Sequence, residues 1–290
     1  MTEICVVHLV RACYGLDPFK QFLHAYAECP GGIDHDLVLV FKGFRKHNLP
    51  AEYLRAAGGL RYRSLFTADW GFDLRSYRLA AETFDHPYFC FLNSFSKPLD
   101  KEWLAKLNTS IRRPETGLAG CTGSWESMYS NLFVADHVGQ NLSFVARLWR
   151  PARVQLCKWF FEPFPNWHVR TNAFIISREL VQRFWPHRVM TKRSAYLFEN
   201  GKKNLTRQVL QMGKLAFVVG KDGRAYCKEE WPESKTYRSG TQENLLVADT
   251  QTLRFERADW AEKCFLARVA WGDRAYVPPQ RAPQHGCLCR

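Results

Sequence analysis

Residues 3–44, EICVVHLVRACYGLDPFKQFLHAYAECPGGIDHDLVLVFKGF, decide the fold class. The run 3–10 is apolar and β-branched and reads as a strand. After Gly15 comes DPFKQFLHAYAE (17–28), with Phe19, Phe22, Leu23 and Tyr26 at i, i+3, i+4 and i+7. That spacing gives a helix with one apolar face. Asp17 is placed to cap it, and Pro18 suits its first helical position. CPGGIDH turns the chain, and DLVLVFKGF is apolar almost throughout. Continuous rather than alternating apolarity marks a strand covered on both faces by helices, as in parallel sheets.

The theme continues outward. YRSLFT (62–67) reads as a strand, DLRSYRLAAETF (73–84) as a helix and HPYFCFL (86–92) as a strand. LDKEWLAKLNTSI (99–111) reads as a helix, and TGLAGCTG (116–123) as a short strand running into a Gly-rich turn. This alternation predicts an α/β fold, an open and mostly parallel sheet flanked by helices with right-handed crossovers. Neither GxGxxG nor GxxxxGK[ST] occurs, so neither a dinucleotide fingerprint nor a P-loop is indicated. The second half is less regular. Residues 147–172 are dense in aromatics, Arg and Pro and read as long loops. AFIIS (173–177) reads as a strand, RELVQRFW (178–185) as a helix, and LTRQVLQMG (205–213) as a helix ending at a glycine. LAFVVGKDGRAY (215–226) is a strand, a turn at Asp222-Gly223 and a second strand, and residues 260–269 form a final helix. No internal repeat or linker is evident. The expectation is one domain over residues 1–277, with halves 1–125 and 126–277, followed by a disordered tail, 278–290.

With 290 residues, 46% hydrophobic and 24% charged, the chain is not disordered, collagenous or coiled-coil. No uncharged apolar run approaches the ~18 to 20 residues of a membrane span. The N-terminus carries Glu3 and lacks the basic start and cleavage site of a signal peptide, so it reads as the first strand of a cytoplasmic protein. The ten cysteines show no CxxC and no zinc spacing. They are expected to be small buried hydrophobes, except Cys287 and Cys289 in the tail. A net charge of +13 points to phosphates, whether of nucleic acid, nucleotide or an anionic membrane face. Between Arg183 and Lys214, eight Lys/Arg accompany a single acid, Glu199. A solvated basic face and a phosphate-binding face both fit that stretch.

Ligands of open α/β sheets bind outside the carboxyl ends of the strands. His8, Arg11 and Gly15 follow the first strand, and Lys42, Gly43, Arg45 and Lys46 the second. Asp69 and Asp73 follow the third and lead into Arg75 and Arg78. Asn93, Ser94 and Ser96 follow the fourth; Thr122, Gly123, Ser124, Trp125 and Glu126 follow the Gly120 strand. Singly, Ser and Asn at strand ends are ordinary turn formers. Jointly, the cations, hydroxyls and amides suit a diphosphate and a sugar-like polyol.

In the order of its elements the chain resembles the GT-A glycosyltransferases. The blocks YFCFLNSFSKPL, GCTGSWES, NWHVRTNAFIISR, YLFENGKKNLTRQVL and ENLLVADTQT are similar to those of uncharacterised bacterial glycosyltransferases associated with surface polysaccharides. The resemblance runs in order over residues 3–275. It implies a GT-A-like, Rossmann-like fold with an irregular acceptor-side half. It also implies transfer of a sugar from a nucleotide-sugar donor to a cell-surface glycan or lipid-linked saccharide. The basic face would hold the protein near the anionic inner membrane, and no nucleic-acid partner is expected. The first strands hold the nucleotide in that family, which assigns His8, Arg11, Gly15, Lys42, Asp73, Arg78, Asn93, Ser94 and Ser96 to the donor. The family's acidic DxD-type motif holds a metal and the diphosphate; here Asn93-Ser94-Phe95-Ser96 stands in its place. Neutral side chains bind Mg²⁺ or Mn²⁺ weakly. Either the enzyme is metal-independent, or a metal uses other acids. A metal-free enzyme needs cations on the leaving diphosphate, for which Arg11, Lys42, Arg170, Lys202, Lys203 and Arg207 are candidates.

An inverting transferase also needs a base for the acceptor hydroxyl. The resemblance points first to Glu199, after an aromatic run and before a helix that Asn204 could cap. The neighbouring cations should lower its pKa and keep it ionised. A salt bridge to Lys202 or Arg207 is the equally available structural role. Glu126 and His168 are the other candidates. Trp125, Trp167 and Phe164 are candidates to stack on sugar, with Arg170, Asn172, Lys202 and Arg207 on the acceptor and diphosphate side. Two other readings stand. A nucleic-acid-binding protein fits the charge, but no RRM, KH, helix-turn-helix or zinc motif appears. A non-catalytic glycan-binding α/β protein fits the neutral Asn93–Ser96 motif.

Overall fold

The computed structural model describes residues 2–137, 149–186 and 191–279. Arg188, Cys287, Cys289 and all but the first two residues of the expected tail lie outside the described residues. β1 (Ile4–Arg11), α1 (Asp17–Glu28), β2 (Asp36–Lys42), a short α2 (Ala51–Ala56), β3 (Arg63–Thr67), α3 (Phe72–Thr83) and β4 (Tyr88–Leu92) follow one another. Then come β5 (Lys97–Pro98), α4 (Trp103–Ile111), β6 (Thr116–Gly120), β7 (Gly123–Ser124) and α5 (Met128–His137). After these stand α6 (Arg150–Phe160), β8 (His168–Val169), β9 (Ala173–Ser177), α7 (Arg178–Phe184), α8 (Lys192–Asn200) and α9 (Leu205–Gln211). β10 (Leu215–Val219), β11 (Ala225–Tyr226), β12 (Val247–Ala248), α10 (Thr250–Arg257) and α11 (Trp260–Trp271) complete the chain.

Eight strands form one sheet in the order β11-β10-β6-β9-β4-β1-β2-β3. The pairs β1–β2, β1–β4, β2–β3 and β6–β10 are parallel. β9 is antiparallel to both its neighbours, and β11 is antiparallel to β10. Six strands therefore run one way, and β9 is wedged among them in reverse. Two-stranded pairs β5–β12 and β7–β8 lie beside the sheet.

The unbroken apolarity of the first strands has the cause expected. Ile4, Val6 and Val10 pack with Leu37, Leu39 and Phe41 against Phe19, Phe22, Trp103 and Leu107 of α1 and α4. Cys5, Val7 and Leu9 pack with Val38 and Val40 against Leu74, Tyr77 and Ala80 of α3. Successive residues of one strand thus meet helices on opposite faces. Among the described residues, no helix is long and apolar enough to cross a membrane.

Several sequence expectations are corrected. Leu16, not Asp17, occupies the N-cap of α1, and Asp17 stands in its first turn, where its charge suits the helix dipole. The segment 147–172 holds a helix, α6, with Pro151 in its first turn, where proline costs no hydrogen bond. The helix expected over 99–111 begins at Trp103, because Leu99 N donates to the Leu246 carbonyl, Glu102 N donates to the Pro30 carbonyl and Glu102 is left-handed at φ 61°. Helices α2, α5, α8 and α10 were not foreseen. Cys5, Cys90 and Cys121 are buried as expected, whereas Cys13 is exposed.

Candidate active site

The antiparallel β9 builds the site. Ala173 pairs with Leu92 at the end of β4, so the turn from β8 into β9 lies at the carboxyl edge of the parallel strands. Asn172 stitches three strands there. Its carbonyl accepts from Asn93 N at 3.0 Å and from the Ser96 hydroxyl at 2.8 Å. Its Oδ1 accepts from the Thr122 hydroxyl, beyond β6, at 2.7 Å. Beside this knot opens a cavity of about 360 Å³. Asp73 of α3, Asn93, Glu126, Met128, His168, Arg170, Thr171 and Asn172 line one part of it. Tyr196, Glu199 and Asn200 of α8, Tyr237, Arg238 and the α10 start, Asp249–Gln251, line the rest. Asp73, Asn93, Glu126, His168, Arg170, Asn172 and Glu199, expected from sequence, are thereby brought together.

Glu199 sits in the last turn of α8, a helix the sequence did not reveal, and stands ahead of α9 as expected. Its Oε1 accepts from the Thr171 hydroxyl at 2.8 Å. Burial pushes its pKa up to about 7; the Thr171 bond opposes this, Asp73 adds to it, and Arg170 opposes it. The expected lowering is therefore reversed. Lys202 and Lys203 point to solvent, and the Arg207 guanidinium lies 5.5 Å from the centre of the Trp167 ring. Desolvation outweighs those cations because they do not share the cavity. The alternative salt bridge gives way to the Thr171 contact. As expected, Asn204 caps the following helix, accepting from Arg207 N at 2.9 Å. Burial also raises the Asp73 carboxyl, against Lys42 and Arg11.

The two arginines of the cavity are already neutralised. Arg170 Nη2 lies 2.7 Å from Asp249 Oδ2, and its guanidinium stands 4.3 Å over Tyr237. Burial raises the Asp249 carboxyl, but Arg170 and the α10 cap outweigh it and hold it below the usual range. Asp249 accepts from Gln251 N and Thr252 N, fixing that helix start. Arg238 Nη1 lies 3.3 Å from Glu126 Oε2, and its Nη2 donates to Gln251 Oε1 at 3.0 Å. His168 Nδ1 lies 2.8 Å from the Asn166 carbonyl, which puts the proton on Nδ1 and a lone pair on Nε2. Burial lowers the His168 pKa, so it stays neutral. Asn172 Nδ2 and Arg238 Nε are buried without a protein partner. The cavity therefore offers proton acceptors, amides and neutral ion pairs, a surface suited to sugar hydroxyls.

The other expected residues do not line it. His8 belongs to the core: its ring stacks on Phe22 at 3.5 Å, and burial lowers its pKa to about 3. The side chain points under α1, so its position near the strand end misled. Arg11 is paired with Asp69 at 2.8 Å and donates to the Tyr14 hydroxyl at 2.9 Å. Lys42 is buried, its pKa lowered to about 8, and donates to the carbonyls of Trp70 and Phe72. It fastens the loop that delivers Asp73. Gly15 has φ +70°, a conformation that favours glycine, in an open turn. Arg78 pairs with Glu82 one turn along α3. Ser94 is buried, and the Ser96 hydroxyl is spent on Asn172. Trp125 packs on Phe164 and Trp271 and donates to the Lys228 carbonyl at 3.0 Å, so it fills the interior rather than facing a sugar. Tyr196, Tyr237, Arg238, Asp249 and Gln251 were missed. Asp249-Thr250-Gln251-Thr252 has the D-x-x-T form of a capping box, which could have located the α10 start.

The turn that stands at the family's metal position does not offer a divalent cation the carboxylates it prefers. Asn93 Oδ1 accepts from Phe95 N and the Ser96 hydroxyl, closing a turn. Glu126 and Asp249 are held by arginines. Among the described residues, no three His, Cys, Asp or Glu gather closely enough to hold a metal ion.

No protein-family model matches the chain, and no curated protein matches it in sequence. Solved structures do match in shape. A mannosyltransferase from Pyrobaculum calidifontis, in complex with GDP-Man and Mn²⁺, is 12% identical with a TM-score of 0.48. The match covers 81% of this chain and 60% of that one, so this chain spans about three fifths of its length. Core-mannan synthase A from Aspergillus fumigatus, in its Mn/GDP form, is 9% identical with a TM-score of 0.39, covering 73% and 69% of the two chains.

Proposed function

We propose that this chain is a glycosyltransferase that moves a sugar from a nucleotide-sugar donor to a hydroxyl of a glycan or lipid-linked saccharide. One observation carries the proposal: at the carboxyl edge of the parallel strands, the partly buried Glu199 carboxyl lines a polar cavity and is held by Thr171, and desolvation pushes its pKa up to about 7. A base of that strength is half ionised near neutral pH and is well matched to taking a hydroxyl proton. Glu199 is the base in this mechanism. Thr171 orients it, and Asp73, Asn172 and neutral His168 hold the sugar hydroxyls. The nucleotide belongs at the adjoining ends of β1 and β3. There Tyr14 and Trp70 are 42% and 48% exposed, Arg75 stacks over Trp70 and supplies a cation, and the Arg11–Asp69 pair lies beside it. No step is routed through a metal.

A second reading, glycan binding without transfer, has one observation in its favour: the arginines lining the cavity are already paired. Incubation with a nucleotide-sugar panel in EDTA separates the two. Release of nucleotide that depends on acceptor supports transfer. Glycan binding with no nucleotide release supports the second reading.

A further inference from the structure

Helix α6 exposes an apolar stripe that the transfer mechanism does not use. Trp149, at its N-cap, is 66% exposed, Leu156 48% and Trp159 71%. With Ala152, also exposed, these positions recur at spacings of three and four and so lie on one face. No residue of the helix is buried. Arg153 and Lys158, both exposed, fall on either side of the stripe. The C-terminal end of the helix meets more cations. Lys202 N donates to the Phe160 carbonyl at 2.9 Å, and the Arg193 guanidinium stands 4.3 Å over the Phe160 ring. Lys192, Lys202 and Lys203 are exposed beside them. No acid occurs between Trp149 and Phe161. The single acid between Thr191 and Lys203 is Glu199, which is turned into the cavity.

Exposed tryptophans on a stripe flanked by cations are the pattern of a helix lying in a membrane interface. The rings sit at headgroup depth and the cations meet anionic lipid. We infer that α6, with the cations of α8 and the turn after it, docks the protein on an anionic bilayer surface. The charge selects this occupant. A second copy of the chain, packed face to face, would bring the same cations together, whereas an anionic bilayer complements them. The position fits as well: α5 packs on α6, and both α5 and α8 contribute to the cavity, through Met128, Tyr196 and Glu199. Docking would bring the cavity close to the lipid surface. It does not depend on the transfer chemistry, and the two are read out separately.

The test is co-sedimentation of the full chain with phosphatidylcholine vesicles, with and without phosphatidylglycerol. The expected result is salt-sensitive binding that requires phosphatidylglycerol. In R153Q/K158Q the binding constant should fall roughly fivefold per cation removed. In W149A/W159A it should fall about tenfold or more, with the melting point unchanged. Several results would overturn the inference. They are no binding by the wild type, binding indifferent to lipid charge, unchanged binding in W149A/W159A, or a dimer that this variant turns into a monomer. A melting point that drops sharply in W149A/W159A would overturn it too, because the stripe would then be packed against protein.

Discussion

Replacing Glu199 by Gln separates the energetic cost of the proposed base from its chemistry. Glutamine keeps the shape and can still accept from the Thr171 hydroxyl, but it cannot ionise. A carboxyl moved from an ordinary 4.5 to about 7 is harder to ionise in the fold than in the unfolded chain. At about 1.4 kcal/mol per pH unit, the difference is about 3 kcal/mol, an upper bound for a group lining an open cavity. The sign follows from linkage. Below 4.5 both states hold the proton, and Glu199 imposes no penalty. As pH rises toward 7 the unfolded chain ionises first, and wild-type stability falls; above that the whole deficit remains. The variant lacks this dependence. Its melting point should match the wild type near pH 4.5 and exceed it by several degrees near pH 8, at roughly 2 °C per kcal/mol for a chain of this size. Paired melting curves at the two pH values decide. Equal differences at both, or a less stable variant at the higher pH, would refute the buried, proton-holding Glu199. In the same preparation, donor binding should persist while transfer falls by a factor of roughly 10² to 10⁴. Wild-type transfer by the variant would remove Glu199 from the mechanism.

Transfer itself should rise with pH and level off above an apparent pKa near 7, because the deprotonated carboxylate is the active form; a rate that is flat from pH 5 to 8 would contradict this, on the same measurement of kcat/KM. Asp249→Ala should lower stability by about 3 to 5 kcal/mol in urea unfolding, since it strands buried Arg170 and removes a helix cap. Asp249→Asn keeps the cap and should retain part of that loss, so equal effects of the two would argue against the cap. Gly120→Ala puts a Cβ 2.3 Å from Val169 Cγ1 and should cost about 1 to 3 kcal/mol, largely recovered by adding Val169→Ala. Failure of the second change to rescue the first would place the strain elsewhere.

The first half of the fold was legible because its signals are local. Continuous apolar strands and the 3.6-residue period of α1 and α3 survive without knowledge of their neighbours. Strand direction does not: AFIIS is equally apolar whichever way it runs, and only its pairing with both β4 and β6 reveals that β9 is reversed. Helix α6 was hidden because tryptophan, arginine and proline resemble loop composition, although its period was present at 149, 152, 156 and 159. The site was half legible. Strand-end polar residues such as Asp73, Asn93 and Asn172 could be ranked by position. The pKa of Glu199 could not, because counting nearby cations along the chain ignores which of them face solvent. His8 failed for a related reason: a side chain near a strand end points under a helix or out to the edge according to its parity.

The most direct test of transferase function is a melting-point screen against nucleotide sugars, repeated with EDTA, with nucleotide release measured on each hit. A bound donor at ~100 times its dissociation constant adds about 2.7 kcal/mol, a shift of several degrees. The expected result is a shift with donors of one nucleotide base, kept in EDTA, and acceptor-dependent release that Glu199→Gln abolishes. No shift with any nucleotide sugar, together with binding of free glycan, would contradict it.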